Sequence, residues 1–206
     1  MSISFLPSSI KIQIGRPQLQ EPASVSRWGN RAISIFETDD KYWTVNVETQ
    51  PLHDEELADV EAWLADARGG QETILFVPRG KQAYPRAYWS DRSNPVLDDT
   101  GSLTSVTNGR QLAIGSVTNG LVISRGDFVS LATGDYRSFH RVKTGATAAS
   151  TSLTLSVEPP VPSYITNGAV VRFKNTEMNT RIVPGSKEVG DGDMPTAKFQ
   201  LIEVPR

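Results

Sequence analysis

Apolar and polar positions alternate along most of this chain, and one stretch breaks the rhythm. KYWTVNVE (41–48) puts Trp43, Val45 and Val47 on one side and Tyr42, Thr44, Asn46 and Glu48 on the other. That two-residue period predicts a strand with one covered face. RAISIF (31–36) likewise places Ile33 and Ile35 on a single face. The break is PLHDEELADVEAWLADARGG (51–70), where Leu57, Val60, Leu64 and Ala67 recur at helical spacing. Asp54, Glu55 and Glu56 crowd its first turn, where the positive end of the helix dipole favours acids, and Gly69-Gly70 supplies a stop. ETILFVP (72–78) follows as a buried strand ended by Pro78.

From Asp91 to Phe173 the chain turns Ser-, Thr-, Gly- and Val-rich, and strand signals follow one another without a helix. Ser-Val-Thr-Asn-Gly occurs at 105–109 and again at 116–120, and Asn-Gly predicts tight hairpin reversals at both. YRSFHRV (136–142) and STSLTLSVEP (150–159) read as further strands. In the second, Leu153, Leu155 and Val157 alternate with Thr154 and Ser156. Five or so strands in a short segment fit a small OB-like barrel. SRGDFVSL (124–131) contains Arg-Gly-Asp, which reads as a turn feeding a strand, since Gly126 admits positive φ and Asp127 can bond nearby amides.

Composition supports a division. The 91–173 segment holds 7 of the 21 Lys and Arg and 6 of the 23 Asp and Glu, while charge is denser on both sides of it. The pattern predicts a mainly β protein with one helix. Residues 1–90 and 174–206 would form one domain, and 91–173 a β module inserted into it; a simple tandem of two domains is the competing arrangement. A net charge of −2 with scattered cations gives no footprint for nucleic acid. No run is long and apolar enough to span a bilayer, and the start reads as no signal peptide. Cysteine is absent, so disulfides and thiolate chemistry are excluded, which suits assembly in a reducing cytoplasm.

Chemistry is thinly represented. The only histidines are His53 and His140. A Ser-His-Asp triad drawn through either lacks a Gly-x-Ser-x-Gly elbow. Asp54, Glu55 and Glu56 read as a helix start rather than a metal site, and GDGDMP, with Asp191 and Asp193, as a solvated turn shorter than a calcium loop. No phosphate cradle is present. These readings assign no catalytic residue, cofactor or metal and favour a binding or assembly protein. Tyr136 and Phe139 in DYRSFHR are the candidate ligand contacts on the barrel surface, with packing within the sheet the preferred reading of both.

The order of these parts resembles the distal tail proteins of long-tailed bacteriophages. The Trp-bearing strand, acidic-start helix and closing strand of residues 41–80 carry the resemblance. So do Gly126-Asp127, the aromatic strand Tyr136 to Val142, the Leu-x-Leu strand ending at Pro159, and the Gly-x-Val strand at 168–171. The likeness spans roughly residues 25 to 180. It implies a structural virion protein: a β-sandwich ring domain carrying an inserted OB-like barrel, assembled in the host cytoplasm into a hexameric ring at the tail tip. Its implied partners are its own copies, the tail tube protein and the tail hub and tip proteins, with DNA passing through the ring without specific binding. Arg27 and Trp28 are the candidate subunit contacts. Long carbohydrate-binding insertions of the larger family members are lacking here. A carbohydrate-binding module using the middle barrel is the alternative function.

Overall fold

The structure, a computed structural model, describes residues 2–29 and 33–206. It is mainly β with one α-helix and contains a closed six-strand barrel. Eight strands form one curled sheet. Its main path runs Ser2–Ser4, Thr73–Phe76, Met178–Ile182, Ala197–Glu203, Tyr42–Thr49, Ile12–Ile14. The short strands Glu188–Val189 and Pro17–Gln20 pair onto this path, and only the Ser2–Ser4 pairing is parallel. The last two long strands of the chain therefore sit between strands from its first half.

The Tyr42–Thr49 strand follows its pattern on one face, with Trp43, Val45 and Val47 all buried. Thr44 is buried as well, because its hydroxyl accepts a hydrogen bond from Gln20 Nε2 at 2.9 Å on the neighbouring strand. The helix Asp54–Asp66 starts as its acidic turn predicts: Glu56 reaches back to accept from the His53 amide at 3.1 Å. Val60, Leu64 and Ala67 are buried, and Trp63 joins them, donating from Nε1 to Ser4 O at 2.8 Å. Leu57 is only half-buried. The helix stops at a left-handed stretch where Gly70, at φ 95°, lies so close to Ile182 O that a Cβ would collide with that carbonyl. Only glycine fits there.

All strands between residues 101 and 172 that form the barrel pair antiparallel, in the order Phe128–Thr133, Tyr136–Thr144, Leu153–Glu158, Gln111–Gly115, Gly101–Thr107, Val170–Arg172, which returns to the first. The two Asn-Gly copies differ in outcome. At the first, Asn108 and Gly109 both have positive φ and reverse the chain between two paired strands. The second is not a hairpin between neighbours. Of that Asn-Gly pair only Gly120 is left-handed, and the strand that follows, Val122–Ile123, pairs with Ala146–Thr147. Asn119 is spent on the Ser150 amide, 2.9 Å from its Oδ1, so tertiary contact overrides the local turn preference.

Sheet and barrel share a seam. By register, Val129, Leu131, Ser138 and His140 lie on one face of their strand pair, and Phe128, Ser130, Phe139 and Arg141 on the other. Val129 and Leu131 belong to the barrel core, whereas Phe128 and Phe139 pack with the sheet's Trp43. Trp43 meets both rings edge-on, at centroid distances of 5.8 and 5.3 Å. Its Nε1 donates to Phe139 O at 2.7 Å, satisfying a buried indole across the seam.

Candidate interaction sites

Arg-Gly-Asp is settled by geometry. Asp127 is buried, its Oδ1 accepting from the Arg86 amide at 3.0 Å and its Oδ2 from the Ser124 amide at 2.7 Å. A carboxylate turned into the protein and bonded twice to backbone presents nothing to a receptor. Gly126, at φ 92°, makes the turn, and the strand Phe128–Thr133 follows it, as the sequence predicts.

The largest exposed apolar feature is a two-stranded ribbon, Ala23–Arg27 against Ile33–Glu37, paired with nothing else among the described residues. Of RAISIF, Arg31 and Ala32 lie outside the described residues. The register sets Val25 opposite Ile35 and Arg27 opposite Ile33, so these four share one face. The two-residue period of the sequence is kept here, yet the apolar face is bare: Val25, Ile33 and Ile35 are 58%, 56% and 67% exposed. Phe36 is exposed on the opposite face, and Trp28, 66% exposed, stands beyond Arg27 at the tip. Both residues singled out as subunit contacts, Arg27 and Trp28, are thus solvent-facing.

The base of the ribbon is fixed by charge. Lys41 Nζ lies 2.9 Å from Glu21, 3.6 Å from Glu37 and 3.0 Å from Glu158, the last on a barrel strand. Hydrogen bonds to Glu21 and Glu158 push the Lys41 pKa well above the usual lysine value. The ribbon is therefore anchored at one end and free along its length.

A second feature is a pocket of about 390 Å³ at the mouth of the barrel, beside the end of the sheet. Tyr42, Ser138, Tyr164 and Glu203 line it together with a wall of prolines that includes Pro159 and Pro162. His140 lies behind Ser138. Its Nδ1 is 2.9 Å from Pro159 O, which can only accept, so Nδ1 carries the proton. Nε2 then accepts from the Ser138 hydroxyl at 2.6 Å. Burial drives the His140 pKa down to about 4 and keeps the ring neutral. Where a triad would place an acid, this ring meets a backbone carbonyl. Burial also raises Glu203 to about 7, against the amides of Trp43 and Phe139 that bond its carboxylate. Tyr164 is raised to about 12 by burial and by the charge of Glu203. The pocket can therefore offer a hydroxyl oxygen, a phenol and, below neutrality, a protonated carboxyl to a polar ligand.

The two barrel contacts fare differently. Tyr136 is partly exposed and stacks at a tilt on Tyr164, ring centroids 5.3 Å apart. For Phe139 the ligand contact is corrected and the preferred reading, packing within the sheet, holds: it is fully buried against Trp43 and Phe128, because its strand is covered on both sides. The Asp54–Glu56 cluster forms the first helical turn, and Asp191 and Asp193 are exposed in an irregular loop. The pocket residues escaped the sequence reading, though one signal was available. In AKFQLIE (197–203), Ala197, Phe199 and Leu201 are buried, and Glu203 continues their phase. An acid in an apolar phase marks a special environment.

No protein-family model matches this chain, and no curated protein matches it in sequence. None of the described helices is long and apolar enough to cross a membrane.

Proposed function

We propose that this chain is a structural virion protein, a distal tail ring subunit that joins a phage tail tube to the tail tip and its receptor-binding parts. On this reading the curled sheet with its helix is the sandwich-type ring domain, and the 91–173 barrel is an OB-like module inserted into it. The exposed ribbon is the observation that carries the proposal. Val25, Ile33 and Ile35 on one face, Phe36 on the other and Trp28 at the tip together leave on the order of 600 Å² of mostly apolar surface in water, at the upper end of the largest patch a monomer ordinarily exposes. That approaches the roughly 800 Å² each partner contributes to a standard interface.

The occupant we assign is a second copy. A closed ring needs two different complementary surfaces on each chain. The ribbon supplies one. The other is a shallow groove on the sheet beside the edge residue Ile14, which is 46% exposed, with Val47 and Phe199 at its floor and Glu48 and Lys198 beside them. An Ile-Val ribbon laid there would cover its own apolar face and Ile14, and would bring Arg27 toward Glu48, whose carboxylate pairs with Lys198 at 3.3 Å.

Light scattering and negative-stain imaging of the purified chain test this. Rings are expected, and replacing Val25 and Ile35 with Lys is expected to release folded monomers. A monomer at high concentration, unaffected by those replacements, would overturn the proposal. A carbohydrate-binding module remains the second reading, drawing on the pocket with Tyr42, Tyr164 and Ser138. A monomer with clear glycan affinity, lost in Tyr164→Ala, would favour it.

A further inference from the structure

The even scatter of cations along the sequence conceals a local excess in space. Arg16, Lys81, Arg86 and Arg125 come from three separate segments, Lys81 and Arg86 sharing one, and line one cleft of about 360 Å³. Arg141 stands beside Arg16, its guanidinium over the rings of Trp43 and Phe128 at 5.1 and 5.3 Å. Among the described residues none of these five cations joins an ion pair. Asp127 is the one carboxylate that lines the cleft, and both its oxygens are taken by backbone amides. Asp127 offsets part of this charge, acting on Arg86 in particular, and the remaining cations are left in excess, in a chain whose net charge is −2.

Unpaired like charges repel, and the cost shows at Arg141: burial and the nearby Arg16 both lower its pKa. A second sign of an unfilled place is Gln82, which also lines the cleft and whose buried amide oxygen has no hydrogen-bond partner. The two ends of an amide are interchangeable by rotation, and with its NH₂ end turned to the cleft Gln82 would add a donor for an incoming anion. Polar donors and cations thus converge on one small concave space.

We propose that this cleft binds a phosphate-bearing ligand of at least two negative charges. A single carboxylate would offset one cation and leave the rest in repulsion. A phosphate chain or backbone brings several charges into a small volume, and guanidinium forks match its oxygens two at a time. Arg16, Arg86 and Arg125 are exposed and free to close on it, while Lys81, held over the Trp89 ring at 5.4 Å, sits at the rim as a point charge. The ligand's source is either a free oligophosphate or the phosphate backbone of nucleic acid. This inference does not depend on the ring reading, since a monomer would carry the same cleft.

The test is calorimetric titration of the purified chain with sodium tripolyphosphate, and separately with a short DNA duplex, at low and moderate salt. Binding is expected. Arg125→Ala and Arg86→Ala are each expected to weaken it about tenfold and, for DNA, to flatten the salt dependence by about one unit of slope. Lys11→Ala, outside the cleft, should leave it unchanged. Tripolyphosphate binding more tightly assigns a free oligophosphate; DNA binding more tightly per phosphate assigns the backbone. No binding of either probe at low salt, or binding indifferent to both arginine replacements, overturns the proposal. So does a polyglutamate peptide that outcompetes both probes. Helical and strand content measured on each variant separates lost binding from lost fold.

Discussion

Replacing Glu203 with Gln should change how stability depends on pH more than stability itself. In the folded chain the carboxyl lies in the pocket at the barrel mouth, where burial raises its pKa from an ordinary 4.5 to about 7. The folded state therefore holds a proton there that the unfolded chain gives up near 4.5. Between those values folding binds a proton, so stability falls as pH rises from 4.5 through 7 and levels off above. The full shift amounts to roughly 3 kcal/mol, most of it lost between pH 5 and pH 8. Gln keeps an oxygen for the Trp43 amide, which now donates to Glu203 Oε2 at 3.0 Å, and it never ionises. Urea unfolding of both proteins at pH 5 and pH 8 reads the effect. Relative to wild type, the variant should gain about 2–3 kcal/mol at the higher pH. His140 pulls the other way: its pKa is lowered to about 4, so stability is lost as pH falls from 6.5 toward 4. Both proteins share that loss, and the difference between them removes it. Parallel pH profiles would refute the claim that Glu203 is desolvated.

Leu64 is buried on the helix face toward the sheet, so Leu64→Asp should cost several kcal/mol, roughly 3 or more, whereas exposed Glu61→Ala should be nearly neutral; equal melting temperatures would show that the buried face is misassigned. Replacing 92–172 by a linker of about six Gly and Ser residues should leave the curled sheet and helix foldable, because the Asn175 amide already bonds Ala83 O at 2.7 Å and closing a short loop costs little. The deletion should also destabilise what remains by roughly 2–4 kcal/mol, through loss of the Phe128, Phe139 and Nε1 contacts of Trp43. Circular dichroism with size-exclusion light scattering checks both parts, and a chain without cooperative unfolding would defeat the first.

Local pattern was a good guide wherever one side of an element decides its fate. The helix, apart from half-buried Leu57, the Tyr42–Thr49 strand and Leu153, Leu155 and Val157 bury the positions their period selects. It misled at elements whose second face is also covered or whose first is left bare. Packing of Phe139 within the sheet was the preferred reading, but alternation assigns one covered face and gave no sign that barrel and sheet enclose its strand from both sides. Ile33 and Ile35 have the spacing of core residues and stand in water, since nothing within the described chain packs on their ribbon. The basic cleft left no sequence signal at all. Arg16 and Arg125 are over a hundred positions apart, and only the closure of the fold makes them neighbours.

The seam at Trp43 has a mechanical consequence. A barrel hung from the sheet by its two chain connections alone would swing like a pendant. Here the indole is wedged between Phe128 and Phe139 and tied to the backbone of one of them, while Lys41 clasps Glu158 a step away. The Arg137 amide adds a stitch to Pro205 O near the far end of the chain. Torque applied to the barrel is therefore delivered to the central strands of the sheet with little slack, and the two parts turn as a single lever.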